Sequence, residues 1–231
     1  MRLVALLLGT LCLGAILYGP GSRYLAERAY LKKANIYGDE SIAHEANERF
    51  LKSIYSVAEY RSKAAGISEP LPLFLFNNGL VGKGLKRLSN RDLERYLDIR
   101  RVVWDRVSVR TCAMYTRGNF SPEKAIELAK SIEVLERRDI EDLFRLYTLA
   151  ANAELRGIPD ASSLSEREQE DAGALIFSML RKEDRERFVG TVAKLNVASD
   201  EDACWLGRTV NAITFQAQGD AKTLLLRGIL E

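Results

Sequence analysis

The amino-terminal run Leu3–Tyr18 constrains this chain more than any other feature, because it holds sixteen residues without a charge directly after Arg2. A membrane-spanning helix needs about 17 to 25 apolar residues, whereas the apolar part of a secretory signal needs about 7 to 15. The sequence after the run is a poor site for signal-peptide cleavage, because the small residues Gly19 and Gly21 have a proline between them. We therefore expect residues 1–22 to form an uncleaved signal anchor, with a cleaved signal peptide and a buried soluble helix as alternatives.

Basic residues on both sides of the run bear on its orientation. Arg2 precedes it, but Arg23, Arg28, Lys32 and Lys33 follow within the window that influences topology. The positive-inside rule alone would keep the body in the cytoplasm. A basic residue followed at once by an apolar run is how secretory signals begin, so we expect export. The chain is predicted to be a single-pass protein of a bacterial inner membrane with its body in the periplasm. Release after cleavage and a cytoplasmic body are the alternatives.

Two cysteines lie outside the apolar run, Cys112 and Cys204, and two is the number that one disulfide needs. In an oxidising compartment we expect them to pair, whereas in the cytoplasm they should stay reduced; buried free thiols are the alternative. The bond would close a loop of about 90 residues, worth roughly 4 to 5 kcal/mol in the chain-entropy treatment. The redox state of this pair therefore reports on topology.

Charge is unevenly distributed, although the net charge is only +2. Lys83–Arg117 holds ten basic and four acidic residues, while Phe120–Cys204 holds nineteen acidic and twelve basic residues. We expect these segments to neutralise each other within the molecule, and attraction to two different partners is the alternative. Around Arg95–Arg106 acidic residues alternate with basic ones at helical spacing. This pattern indicates ion pairs along one helix and argues against a nucleic-acid partner.

Helical periodicity runs through most of the body, and the chain as a whole is 47% hydrophobic, enough for a packed core. Residues 23–66 are predicted to form a helical stalk and a first long helix. Residues 89–231 are predicted to form a helical domain whose helices begin at serine caps: Ser89, Ser121, Ser165 and Ser199. The fold class is all-α, with an N-terminal membrane helix followed by an irregular multi-helix bundle. A short stack of helical hairpins is the alternative, because helix pairs recur every 30 to 37 residues or so.

The segment 67–88 breaks this pattern. Prolines at positions 70 and 72 and three glycines between positions 79 and 84 predict a loop rather than a helix. The apolar residues Leu73, Phe74, Leu75 and Phe76 lie within it. They are interpreted as a short strand, as a plug in the core or as an interaction loop that touches lipid or a partner.

The sequence contains few candidate catalytic residues. His44 is the only histidine, so a metal site with two histidines is excluded, and no cofactor is expected. The dipeptide Glu40-Ser41 resembles the catalytic Glu-Ser of lytic transglycosylases with a lysozyme-like domain, which are helical proteins exported toward the cell wall. The resemblance implies that Glu40 would be the acid for glycosidic cleavage. The glycine-rich stretch with Gln that should follow is missing, since His44 and its neighbours continue a helix.

These observations favour a protein that works by binding rather than by bond chemistry. We expect a membrane-anchored or exported scaffold of the cell envelope whose partner is another envelope protein or complex, with residues 3–18 in the membrane. The first alternative is an inhibitor or immunity-type protein directed against an envelope-acting toxin. The second is a lysozyme-like cell-wall glycosidase that uses Glu40.

Overall fold

A computed structural model describes residues 20–118, 121–160 and 164–229. This part of the chain is all-helical, with short 3₁₀ turns and no strand. Its twelve α-helices are α1 (Pro20–Ala34), α2 (His44–Ser56), α3 (Ala58–Ala64), α4 (Pro70–Leu85), α5 (Asn90–Arg106), α6 (Val109–Arg117), α7 (Pro122–Lys130), α8 (Arg137–Leu155), α9 (Glu166–Met179), α10 (Arg185–Ala193), α11 (Asp200–Gln216) and α12 (Gly219–Gly228).

The predicted anchor, residues 1–22, lies almost wholly outside the described residues. Within the part that the structure describes, no helix is long and apolar enough to cross a bilayer. The predicted stalk corresponds to α1, but this helix does not stand free of the body. Its second half buries Tyr30, Leu31 and Ala34 against α2 and α4.

Serine caps begin several of the helices, as the sequence predicts. The hydroxyls of Ser89, Ser165 and Ser199 each accept a hydrogen bond from the backbone N–H three residues on. At the same cap the Ser165 N–H donates to the Glu168 carboxylate, which completes a capping box. Ser121 makes no such side-chain bond, and α7 begins instead with a proline in its first turn.

The prediction of a loop at 67–88 is wrong, because most of this segment forms α4. Pro70 and Pro72 lie in its first turn, where backbone N–H groups have no partner within the helix and their loss costs nothing. Leu73 and Phe74 are buried, while Leu75 is partly exposed. These apolar residues therefore belong to a packed helix, not to a mobile interaction loop.

Two long-range helix pairs make the bundle irregular. α4 packs along α8, and α6 packs along α11, although each pair is far apart in sequence. Stacked hairpins would instead bring each helix against its neighbours in the chain. The irregular multi-helix bundle is therefore confirmed. Its main core joins buried residues of α1 to α5 and of α8, with Leu226 of α12.

The α6–α11 pair is held by a predicted disulfide that the structure contains. Cys112 and Cys204 are bonded, with 5.1 Å between their Cα atoms. The helices approach closely where α11 carries Gly207, since a Cβ there would lie 2.2 Å from the Thr116 hydroxyl. At the end of α6 the Arg117 guanidinium donates to the Asp200 carboxylate at 2.7 Å. The disulfide thus joins two helices that already pack tightly.

A separate small cluster of buried apolar side chains joins α9, the end of α11 and α12. Arg227 of α12 fastens this cluster to the rest of the bundle. Its buried guanidinium donates to the backbone carbonyls of Lys86 and Leu88 and to the side chain of Asn90, at 2.6 to 3.1 Å. Burial lowers the pKa of Arg227, and the several acceptors around it compensate for that desolvation.

Candidate functional site

Two adjoining cavities lie in the middle of the bundle, between α4, α5, α6, α7 and α8. The first has a volume of about 390 Å³ and the second about 250 Å³. They share three lining residues, Tyr115, Ile132 and Tyr147. Together they have the size and the apolar walls that small-molecule sites in proteins have.

The first cavity is lined mainly by apolar side chains of α2, α4, α7 and α8. Leu75 and Asn78 of α4 are exposed at its edge, so this cavity reaches the surface beside α4. On the opposite side the Tyr37 hydroxyl donates to the Ala129 carbonyl at 2.9 Å and fixes α7 against the segment after α1. Burial raises the pKa of Tyr37 well above its usual value, so this donor keeps its proton.

The second cavity takes one wall from α5. Tyr96, Arg100 and Trp104 are four residues apart, so they lie on one face of that helix. The aromatic wall continues across the cavity, with the Trp104 and Tyr115 ring centroids 6.3 Å apart and those of Tyr96 and Tyr147 also 6.3 Å apart. Four aromatic rings and one guanidinium therefore surround the same space.

Arg100 differs from Arg95 and Arg101 of the same helix in its partners. Its guanidinium carbon lies 4.6 Å from the centroid of the Trp104 ring and 5.5 Å from that of Tyr96. Among the described residues it forms no salt bridge and no hydrogen bond, whereas Arg95 and Arg101 both pair with Asp98, at 3.2 and 3.0 Å. Arg100 is half-buried and lines the second cavity with a positive charge that no carboxylate neutralises.

Two further polar groups of this cavity's lining lack a partner among the described residues. The Trp104 indole N–H is buried and donates to nothing. The Tyr147 hydroxyl has no hydrogen bond either, and burial raises the pKa of Tyr147 far above its usual value, opposed only in part by the positive charge of Arg100. Tyr115, in contrast, is satisfied, since its hydroxyl donates to the Leu128 carbonyl at 2.7 Å. An unmade hydrogen bond in a buried position is costly, and the Trp104 indole N–H is such a group.

The disulfide lies directly behind this wall. Cys112 and Cys204 pack in one buried cluster with Trp104, and Tyr115 contacts the same cluster. On the far side of the indole the Arg208 guanidinium donates to the Trp104 carbonyl at 2.7 and 3.0 Å. The covalent bond and these hydrogen bonds hold the tryptophan side of the cavity in place.

The structure places the predicted site residues apart from one another. Leu73 is in the core, Phe74 and Leu75 line the first cavity, and Phe76 packs against Tyr60 with ring centroids 5.8 Å apart. Glu40 lies exposed in the turn between α1 and α2 and lines none of the cavities described here.

His44 begins α2, and its Nδ1 lies 3.0 Å from the Tyr37 carbonyl, to which a protonated Nδ1 donates. Among the described residues no group of histidine, cysteine or acidic side chains could hold a metal ion.

A separate surface feature is the exposed apolar face of α10 and the 3₁₀ turn that follows it. Val189, Val192 and Val197 are 55%, 51% and 81% exposed. Val189 and Val192 are three residues apart and share one helix face. Large apolar side chains that stay this exposed next to one another are typical of contact surfaces.

Sequence reasoning predicted ion pairs along the helix around Arg95–Arg106 but missed that Arg100 forms none with the described residues. A signal was present: the positions three and four residues from Arg100 hold Tyr96, Leu97, Val103 and Trp104, and none of these is acidic. Arg101, one residue on, has Asp98 and Asp105 at those distances and pairs with both. The charge pattern therefore distinguishes Arg100 from Arg101.

Comparison with models of protein families, with curated proteins and with solved structures finds no match to this chain.

Proposed function

We propose that the protein is an exported, membrane-tethered binding protein whose helical body works in the periplasm by holding another molecule. The observation that carries this proposal is the Cys112–Cys204 disulfide. Both residues are almost fully buried, and their bond joins two helices of the body. Disulfides of this kind form and persist in oxidising compartments and are rare where thiols are kept reduced. The uncharged run Leu3–Tyr18 supplies the means of export.

The partner that fits this proposal is another envelope protein, and the surface that would receive it is the face Val189–Val197. These valines stay at least half exposed in the described body, so an apolar patch on a partner would bury them. An inhibitor or immunity-type protein remains the alternative within the same class. The glycosidase reading finds no support, because an acid for glycosidic cleavage needs apolar surroundings and Glu40 is exposed in a turn.

Thiol labelling in intact cells tests the export. In a Cys12→Ser background, which leaves two cysteines, cells would be quenched with acid and treated with a polymer-linked maleimide before or after reduction. We expect no mobility shift without reduction and a shift of two polymers after it. The matched control carries Leu7→Arg and Leu8→Arg in the apolar run, stays in the cytoplasm and should label without reduction. Full labelling of the unaltered body without reduction would contradict the proposal.

Site-specific cross-linking tests the partner surface. A photoreactive residue at position 192 should give one adduct of fixed mass, and Val189→Asp should abolish it because a buried unpaired carboxylate is costly. Val109→Asp changes another exposed valine, on α6 and 41% exposed, and should leave the adduct intact. Equal adduct yields from Val189→Asp and Val109→Asp would show that α10 does not form the partner surface.

A further inference from the structure

Charge and shape distinguish the second cavity from an ordinary packing defect. Of the described side chains that line either cavity, Arg100 alone carries a charge, and the other lining groups are apolar, aromatic or neutral. Packing defects in cores are apolar on all sides and small. In this cavity, by contrast, Arg100 has no anionic partner among the described residues, the Trp104 indole N–H has no acceptor among them and the Tyr147 hydroxyl has no hydrogen bond to them.

The geometry of Arg100 leaves its hydrogen-bonding edge available. The guanidinium carbon lies over the Trp104 ring, 4.6 Å from its centroid, which satisfies the cation in part. The N–H donors lie in the plane of the guanidinium and form no bond with a described residue. A planar carboxylate matches two of these donors at once, and such a pair is stronger than a bond between neutral groups.

The position of the charge indicates how a ligand would lie. Arg100 is half-buried, while Ile99, Val103 and Trp104 beside it are buried. The positive charge is therefore nearer to solvent than the apolar walls are. Beyond it the shared residues Tyr115 and Tyr147 lead to the larger, apolar first cavity. An anionic group at Arg100 with an apolar body pointing inward fits this polarity.

We propose that the two cavities form a binding site for a monocarboxylate with an apolar body, in which Arg100 holds the carboxylate. The apolar body is aliphatic or aromatic, and it packs against Tyr96, Trp104, Tyr115 and Tyr147. One cation without a second nearby favours a single negative charge over a dianion. This inference goes beyond the proposed function and holds wherever the body is located, so the two proposals fail separately.

Tryptophan fluorescence gives a direct readout, because the chain has two tryptophans and one of them lines the site. In a Trp205→Phe background the full chain, reconstituted in phosphatidylcholine nanodiscs, would be titrated with octanoate below its micellar concentration. We expect a saturable change in Trp104 emission with one-to-one stoichiometry in a parallel calorimetric titration. Octanamide, which has the same chain without the charge, should bind at least tenfold more weakly, and octylammonium should not bind.

Variants assign the charge to one residue. Arg100→Met should weaken octanoate binding at least tenfold, and Arg100→Lys should recover part of it, since an ammonium keeps the charge but loses the bidentate fit. The matched control is Arg101→Met, on the next position of the same helix but paired with Asp98 and Asp105. It should bind octanoate as the parent does. Near-UV circular dichroism and thermal unfolding would establish that each variant is folded.

Three outcomes would overturn the proposal. Equal binding of octanoate and octanamide, or octanoate binding that survives Arg100→Met, would show that the carboxylate is not recognised. Absence of any saturable signal with octanoate and with 4-phenylbutanoate would show that the cavities do not admit a monocarboxylate. The ratio of these two affinities separates an aliphatic ligand, such as a lipid-derived acid, from an aromatic one, and binding of either supports the site.

Discussion

Three buried polar side chains form a closed hydrogen-bonded triad on three helices of the main core. The hydroxyls of Tyr30 and Tyr60 are 2.7 Å apart, and Tyr60 donates to the Asn77 side chain at 2.6 Å. The Asn77 amide in turn donates to the Tyr30 hydroxyl at 3.5 Å, and all three residues are buried. Because each member has partners, the core holds these polar groups at little cost.

This triad predicts a loss of stability at high pH. Burial raises the pKa of Tyr30 to about 12 from an ordinary value of 10.0. The folded state therefore holds this proton more tightly than the unfolded state. The contribution of the Tyr30 proton to the free energy of unfolding is complete below about pH 10. That free energy falls by about 2 kcal/mol in total as the pH rises toward 12. Urea unfolding at intervals between pH 9 and 12 measures it.

The variant Tyr30→Phe supplies the control for that measurement. Phenylalanine has no proton to lose, so the stability of this variant should fall less steeply with pH between 10 and 12. It should also be less stable at neutral pH, because the Tyr60 and Asn77 groups lose a partner. Parallel pH profiles of the two proteins would contradict the interpretation.

At the scale of residues, the sequence predicts what depends on local spacing. The disulfide pair could be predicted because only two cysteines lie outside the leader, and the unpaired Arg100 could have been predicted from its neighbours. The triad could not be predicted. Its members are 17 to 47 residues apart, and nothing in the local pattern indicates that their helices meet at those three positions.

Among the elements, α4 shows that prolines can indicate either the end or the start of a helix. Prolines stop a helix when they fall in its interior but start one when they fall in its first turn, and only the helix boundary distinguishes the two cases. The glycines were interpreted as a source of flexibility. At Gly84 the structure gives a different reason: a Cβ there would lie 1.9 Å from the Ala150 carbonyl oxygen of α8. This glycine lets two helices approach closely.

A pair of alanine substitutions on this helix tests that reason. Gly84→Ala should destabilise the protein by about 1 to 3 kcal/mol, because the backbone of α8 must move away. Gly82→Ala, two residues earlier, meets nothing within 4 Å and should be neutral or stabilising by up to about 1 kcal/mol, as expected for a solvent-exposed helix position. Urea unfolding compares them, and equal stabilities would contradict the close approach.

In the whole molecule, the separated charges of the sequence are brought together. Arg87 pairs with Glu154 at 2.9 Å, and Arg95 with Asp139 and Asp142 at 2.6 and 2.9 Å, so the basic segment meets the acidic one inside the body. Hydrogen bonds to Arg95 hold the pKa of Asp142 below its usual value, although burial opposes them. The overall class and the helix starts follow from sequence pattern. Which helices pair, such as α4 with α8, depends on contacts that no single-sequence pattern records.

The helices differ in how deeply they enter the bundle, and this predicts a gradient of local stability. In α8 eight residues are buried, whereas α9 buries only Ala172 and α10 only Thr191. Elements with few buried contacts open with a small free energy. Native-state hydrogen exchange followed by mass spectrometry should show amides of α9 and α10 exchanging at least tenfold faster than those of α8. Similar rates in all three would indicate that the body opens as one unit.

The bond between Cys112 and Cys204 also determines what happens when the backbone is cut between them. Arg156 and the residues just after it are exposed at the end of α8, where trypsin can reach the chain. A cut after Arg156 leaves one partner of the disulfide in each product, so the two pieces travel together in electrophoresis until a reductant separates them. A nicked body therefore remains one covalent particle, with both walls of its cavities still attached to each other.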